Sequence, residues 1–137
     1  MIADDIVAAA RECVGTPFRH QGRVIGLAMD CAGVVVHAVR SCGIEVYDVS
    51  GYGPTPNKGL LELALEQHIY LSVVQPGERR AGDILLMRFV SEPQHLAIAT
   101  ATGIIHAYEA ARKCCEHDID ALWASRIVRV YRVVEQA

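Results

Sequence analysis

Apolar positions recur with the period of a helix in the first third of the chain and with the spacing of strands in its second half. Ile2, Ile6, Val7, Ala10, Cys13 and Val14 fall on one stripe, opposite Asp4, Asp5, Arg11 and Glu12, which predicts an amphipathic helix ended by Gly15. A second stripe, Val34, Val35, Ala38, Val39 and Cys42, predicts a helix from about Cys31 to Cys42, stopped at Gly43. Between the two, GTPFRHQGRVIG carries three glycines and a proline, which is loop chemistry. After the Gly/Pro-rich GYGPTPNKG, the segment Leu60 to Gln67 predicts a third helix. From there the pattern changes. DILLMRF, HLAIAT, GIIHAYEA and IVRVYRVV are short, rich in branched and aromatic residues and separated by turn signals, so they predict strands of one largely antiparallel sheet. Helices followed by strands mean an α+β domain. There is no internal repeat and no low-complexity segment.

Length and composition narrow the field. At 137 residues the whole chain, 1–137, is expected to form one domain with its own core. Apolar residues make up 52% and the formal charge is -3, so there is no electrostatic case for nucleic acid or an anionic membrane as partner. The amino terminus, MIADD, has neither a basic leader nor an apolar run, and no stretch reaches the length of a membrane span. A soluble protein made in the cytoplasm without a signal peptide is expected. The five cysteines are odd in number and lack C-x-x-C pairs, which predicts reduced thiols. Cys114 and Cys115 read as strand thiols more readily than as a metal or redox pair.

Candidate chemistry begins at MDCAG. Asp30 suits a helix N-cap, and Cys31 then occupies the first helical position, where the positive end of the helix favours thiolate over thiol. The competing reading is a small apolar neighbour for the stripe behind it. Gly33 weighs against that reading. A glycine inside the first turn costs about 1 kcal/mol relative to alanine, which implies that a substrate or a packed strand approaches the backbone there. Among the histidines, His37 and His68 read as surface or packing residues and His117 as a solvated one. His95 and His106 lie in consecutive strands. With a four-residue loop, Thr100 to Gly103, they share a sheet face, His106 standing across from Ala97 and diagonal to His95. Cys31 as nucleophile, His95 as base and His106 as orienter make one set. A cysteine with two histidines, and Asp30 at hand, also suits zinc.

In order, GTPFRHQG, MDCAGVV, RAGDILLM, HLAIA and GIIHA resemble the NlpC-type cell-wall peptidases, papain-like cysteine hydrolases of the peptidoglycan stem peptide. The resemblance runs from the first helix to about Ala110. It implies N-terminal helices packed on a central, mostly antiparallel sheet, with Cys31, His95 and His106 as a Cys-His-His triad. Asp30 and Gly33 match the flanks of the family's Asp-Cys-x-Gly motif, and the backbone N–H of Cys31 would help hold the oxyanion. Phe18 stands where members commonly carry tyrosine, Ala32 where serine is frequent, and His20 is a candidate for the lining of the site in place of that hydroxyl. Tyr52 and Tyr108 would line the groove, between substrate walls at Thr16 to Met29 and Val49 to Lys58. The implied reaction is hydrolysis of the amide between D-glutamate, through its γ-carboxyl, and the following diamino acid, with no metal or organic cofactor. The FRHQGR loop is most similar to members from phage and prophage tails. That likeness implies tail-tip proteins as partners and delivery to the wall by the virion; the alternative is a tail-tip structural protein of the same fold that hydrolyses little.

Overall fold

The computed structural model describes residues 2–46, 65, 70–89 and 93–134. Two helices come first: α1, Ile2–Glu12, and α2, Cys31–Arg40. Between them a short hairpin forms from β1, Arg23–Val24, and β2, Ala28–Met29. The remaining strands are β3, Leu71–Val74; β4, Ile84–Arg88; β5, Pro93–Ala99; β6, Gly103–Tyr108; β7, Lys113–Asp118; and β8, Ile127–Val133. One turn of helix, α3, Ala121–Ser125, precedes β8. Strands β3 to β8 make one antiparallel sheet in the order β3-β8-β4-β5-β6-β7. The fold is α+β, as the change of pattern along the chain predicts.

The sheet separates two apolar layers because successive side chains point to opposite faces. On one face Ile84, Leu86, Leu96, Ile98, Ile105 and Tyr131 pack with the buried stripes of α1 and α2. On the other, Leu85, Met87, Ala97, Ala99, Ile104 and Val130 form a smaller layer, with Ile119, Trp123 and Ile127 packed against it. The helical stripes read from sequence, including Ile6, Ala10, Val34, Ala38 and Val39, are buried in the first layer. The third predicted helix, Leu60 to Gln67, lies outside the described residues except for Leu65, which is helical and buried. Four strands have no counterpart in the sequence reading: β1 and β2 of the short hairpin, and β3 and β7, the two edges of the larger sheet.

The β5–β6 hairpin has the register its loop length demands. Ile98 pairs with Ile105 and Ala99 with Ile104, which leaves Thr100 to Gly103 as the loop and brings His106 across from Ala97 one step further along. Thr100 and Gly103 close this turn, with Thr100 N–H donating to Gly103 O at 2.9 Å and Gly103 N–H to Thr100 Oγ1 at 2.8 Å.

Candidate active site

Asp30 caps α2 from an extended backbone conformation, and its buried carboxylate accepts at least three hydrogen bonds. Gly33 N–H donates to Oδ1 at 2.9 Å, Gln21 N–H to Oδ2 at 2.9 Å, and Arg23 Nη1 to Oδ1 at 2.7 Å. One side chain thus satisfies a free N–H of the helix start and fastens the preceding loop to it. Gly33 is needed for a reason other than sheet packing. A Cβ there would stand 2.5 Å from the Gly22 carbonyl oxygen and 2.9 Å from Met29 Cγ, so the close neighbour is the loop before the helix.

Cys31 opens α2 and is half-buried, with backbone N–H groups of Leu96 and Ala32 directed at its sulfur. The expected low-pKa thiolate is not what this environment favours. Desolvation, followed by the Asp30 carboxylate, pushes the thiol up to about 12, against the opposing pull of those two N–H groups and of Arg23. Loss of hydration outweighs the helix end. The resting sulfur is therefore a protonated thiol.

His95 and His106 are both buried on the sheet face away from α2. His95 Nε2 lies 2.6 Å from His106 Nδ1, which makes a direct hydrogen bond of the diagonal placement. The chain continues. His106 Nε2 lies 2.8 Å from His117 Nε2, and His117 Nδ1 lies 2.9 Å from the backbone oxygen of Asp118. His117, expected to be solvated, is half-buried on β7, whose pairing of Ile104 with His117 and His106 with Cys115 brings it to the same face. Aromatic rings enclose this row: Tyr108 stacks on His106 at 5.2 Å and 14°, Trp123 meets His106 edge-on at 5.1 Å, and Phe89 lies 4.9 Å from His95. Arg126 sits over Trp123 at 4.4 Å and over Phe89 at 5.1 Å.

This enclosure keeps His95 and His106 neutral. Burial, then His106 and Arg126, holds His95 well below the usual histidine range, and burial, then His117, lowers His106 to about 3. The unfolded chain takes up a proton on each ring near pH 6.5 that the folded rings refuse. Stability is therefore complete above that pH and falls as the pH drops toward the folded values. Between pH 7 and pH 5 the His106 ring is expected to cost about 2 kcal/mol of folding stability, with His95 acting in the same direction. Denaturant unfolding at the two pH values measures the loss, and His106→Asn should abolish its share.

The structure brings Asp30, Gly33 and Cys31 together at the start of α2, and His95, His106 and Tyr108 together on the sheet. What links the two groups is the packing of α2 on β5, the strand in which Leu96 follows His95. Phe18 is half-buried against the helix-side core. His20 is exposed, its ring 3.3 Å from the Gln21 side-chain nitrogen. Tyr52 and the whole expected wall at Val49 to Lys58 lie outside the described residues, as does His68. Among the described residues, the group whose spacing approaches a metal site is His106, Cys115 and His117, with ligand atoms within 4.8 Å of one another; Cys31 is not in it. Two nitrogens on a tetrahedral zinc stand about 3.3 Å apart, wider than the 2.8 Å between His106 and His117, so that contact has the spacing of a hydrogen bond.

The NlpC/P60 family profile matches residues 15–132. No curated protein sequence matches this chain. Among solved structures, an NlpC/P60 family protein from Bacillus cereus is 18% identical with a TM-score of 0.73, over 97% of this chain and 40% of its own. The peptidoglycan hydrolase RipB from Mycobacterium tuberculosis is 17% identical with a TM-score of 0.69, over 98% of this chain and 66% of its own. RipD from the same organism, a non-catalytic NlpC/p60 domain protein adapted to peptidoglycan binding, is 15% identical with a TM-score of 0.65, over 98% of each chain. At these identities the likeness is one of fold, and the chain spans less than half the length of the Bacillus cereus protein.

Proposed function

This chain belongs to the NlpC/P60 family, and from that membership we propose that it is a cysteine endopeptidase of peptidoglycan stem peptides, with residues 1–137 as a single catalytic domain. The observation that carries the reading is the position of Cys31: it opens a helix capped by Asp30 that packs on β5, the strand whose His95 heads the buried imidazole row.

In this reading Cys31 Sγ attacks the amide carbonyl carbon while its proton passes around the end of β5 to His95 Nδ1, whose ring stands on the other face of the sheet. With the thiol pushed up and the imidazole pushed down, proton transfer accompanies the attack instead of preceding it. The Cys31 N–H stabilises the oxyanion. His95 then returns the proton to the departing amine, leaving a thioester. Water, losing a proton to His95, cleaves the thioester to a carboxylic acid and restores the thiol. His106 holds the ring of His95 in place throughout, and Tyr108 flanks both. The bond cut is the one between the γ-carboxyl of D-glutamate and the following diamino acid, the linkage the family resemblance implies. The same resemblance, in the FRHQGR loop, supports delivery by a phage or prophage tail.

Two observations favour a second reading, a wall-binding or tail-structural protein that does not hydrolyse. Phe18 supplies no hydroxyl, and Cys31 makes no hydrogen bond to an imidazole among the described residues. Incubation of the protein with purified Gram-negative sacculi separates the two. The peptidase is expected to release fragments whose masses show D-glutamate at a new carboxyl end and a newly free amine on the diamino acid. Sedimentation with the sacculi and no release would identify the binding protein instead.

A further inference from the structure

The proton positions along the imidazole row follow from its far end. A backbone carbonyl oxygen can only accept a hydrogen bond, so His117 Nδ1, 2.9 Å from Asp118 O, must carry a proton. Whenever all three rings carry a single proton, His117 Nε2 is then a lone pair, and His106 Nε2, 2.8 Å away, must be the donor. That leaves His106 Nδ1 as a lone pair, and His95 Nε2, at 2.6 Å, must carry its proton. His95 Nδ1 is left bare. Each ring has one tautomer compatible with its neighbours, and the choice is dictated by a main-chain oxygen at the edge of the sheet.

We infer that His117 is a positioning residue, the last ring of a three-histidine relay that starts at the Asp118 carbonyl and sets His95 in the tautomer able to take a proton at Nδ1. The catalytic consequence rests on the peptidase reading above; the relay itself does not. His117 touches neither Cys31 nor the bond to be cut. Its effect passes through His106, whose buried ring would otherwise be able to place its proton on Nδ1, force His95 to accept at Nε2 and put the His95 proton on the nitrogen that should be the base. The surroundings hold the geometry. Trp123 packs against both His106 and His117, at 5.1 Å from each ring, and β7 holds Asp118 opposite Gly103.

Long-range proton–nitrogen correlation spectra of the ¹⁵N-histidine-labelled protein at neutral pH read each tautomer directly. The expected pattern is a proton on Nε2 of His95 and His106 and on Nδ1 of His117. In His117→Ala the fixed signatures of His95 and His106 should give way to mixtures, with kcat reduced about 10- to 100-fold and KM unchanged. His117→Gln, whose amide oxygen accepts from His106, should recover most of both. A proton on His95 Nδ1 in the natural chain, or tautomers indifferent to His117→Ala, would overturn the relay. The expected tautomers in a protein that releases nothing from sacculi would support the relay and sink the peptidase reading.

Discussion

A Cys31→Ala chain is expected to release peptidoglycan fragments at least about 10⁴-fold more slowly than the natural chain, while unfolding at nearly the same denaturant concentration. The two halves of this prediction have separate causes. No other described side chain on α2 offers a nucleophile beside β5, and removal of the sulfur leaves the His95 base with no proton to take. Water alone would have to attack the amide. Stability is spared because the bonds that fix this end of α2 run from Asp30 to Gly33, Gln21 and Arg23, none of them through the thiol. Alanine is also the better helix former at a half-buried position. Fragment release from sacculi, timed by chromatography for both chains, checks the rate, and a urea titration checks the fold. Equal rates would dismiss Cys31 as the nucleophile.

Gly103→Ala should produce the largest loss of stability among the glycine replacements at loops and turns. A Cβ at Gly103 would run into the His117 carbonyl oxygen and stand 2.8 Å from its carbon and 2.9 Å from Asp118 Cα, all of them backbone that cannot rotate away. Overpacking of this kind costs typically about 1–3 kcal/mol, and the upper end is expected where a strand must shift. The shift falls on the stretch of β7 that carries His117 and the Asp118 oxygen. Activity should therefore drop by about tenfold or more even where the protein remains folded, since it depends on the same main chain. Gly77→Ala is the control: nothing lies within 4 Å of its Cβ, and the midpoint should not move. Parallel urea curves and sacculus digests of the three proteins decide the matter.

Asp30, Cys31, His95 and His106 could be found from the chain because each depends on short-range information. The cap is three residues long, and the shared face of the two histidines follows from the parity of one hairpin loop. His117 lies beyond that reach. Its strand, KCCEHD, buries only Cys114 fully, since β7 is an edge with its other face half open, so neither alternation nor apolar content marks it as a strand. The one available signal was the vicinal cysteine pair, whose residues point to opposite faces: Cys114 into the helix-side core, and Cys115 to the side of His106. The thiol misleads for a related reason. A helix start is visible in sequence, whereas the burial that raises the Cys31 pKa is set by the tertiary fold around it. Gly33 shows the same limit, because its need for a bare Cα is set by the Gly22 carbonyl, which arrives by loop closure.

The shared use of the Asp30 carboxylate also has a mechanical side. Gln21 and Arg23 in the loop and Gly33 in the helix are riveted to one buried group, and the Gly22 backbone rests directly on Gly33. The loop before α2 and the turn that bears the sulfur are consequently a single rigid unit. If the chain is the peptidase proposed above, a peptidoglycan strand pressing on that loop would carry the sulfur with it, so that the force reaches the nucleophile instead of being absorbed by a yielding flap.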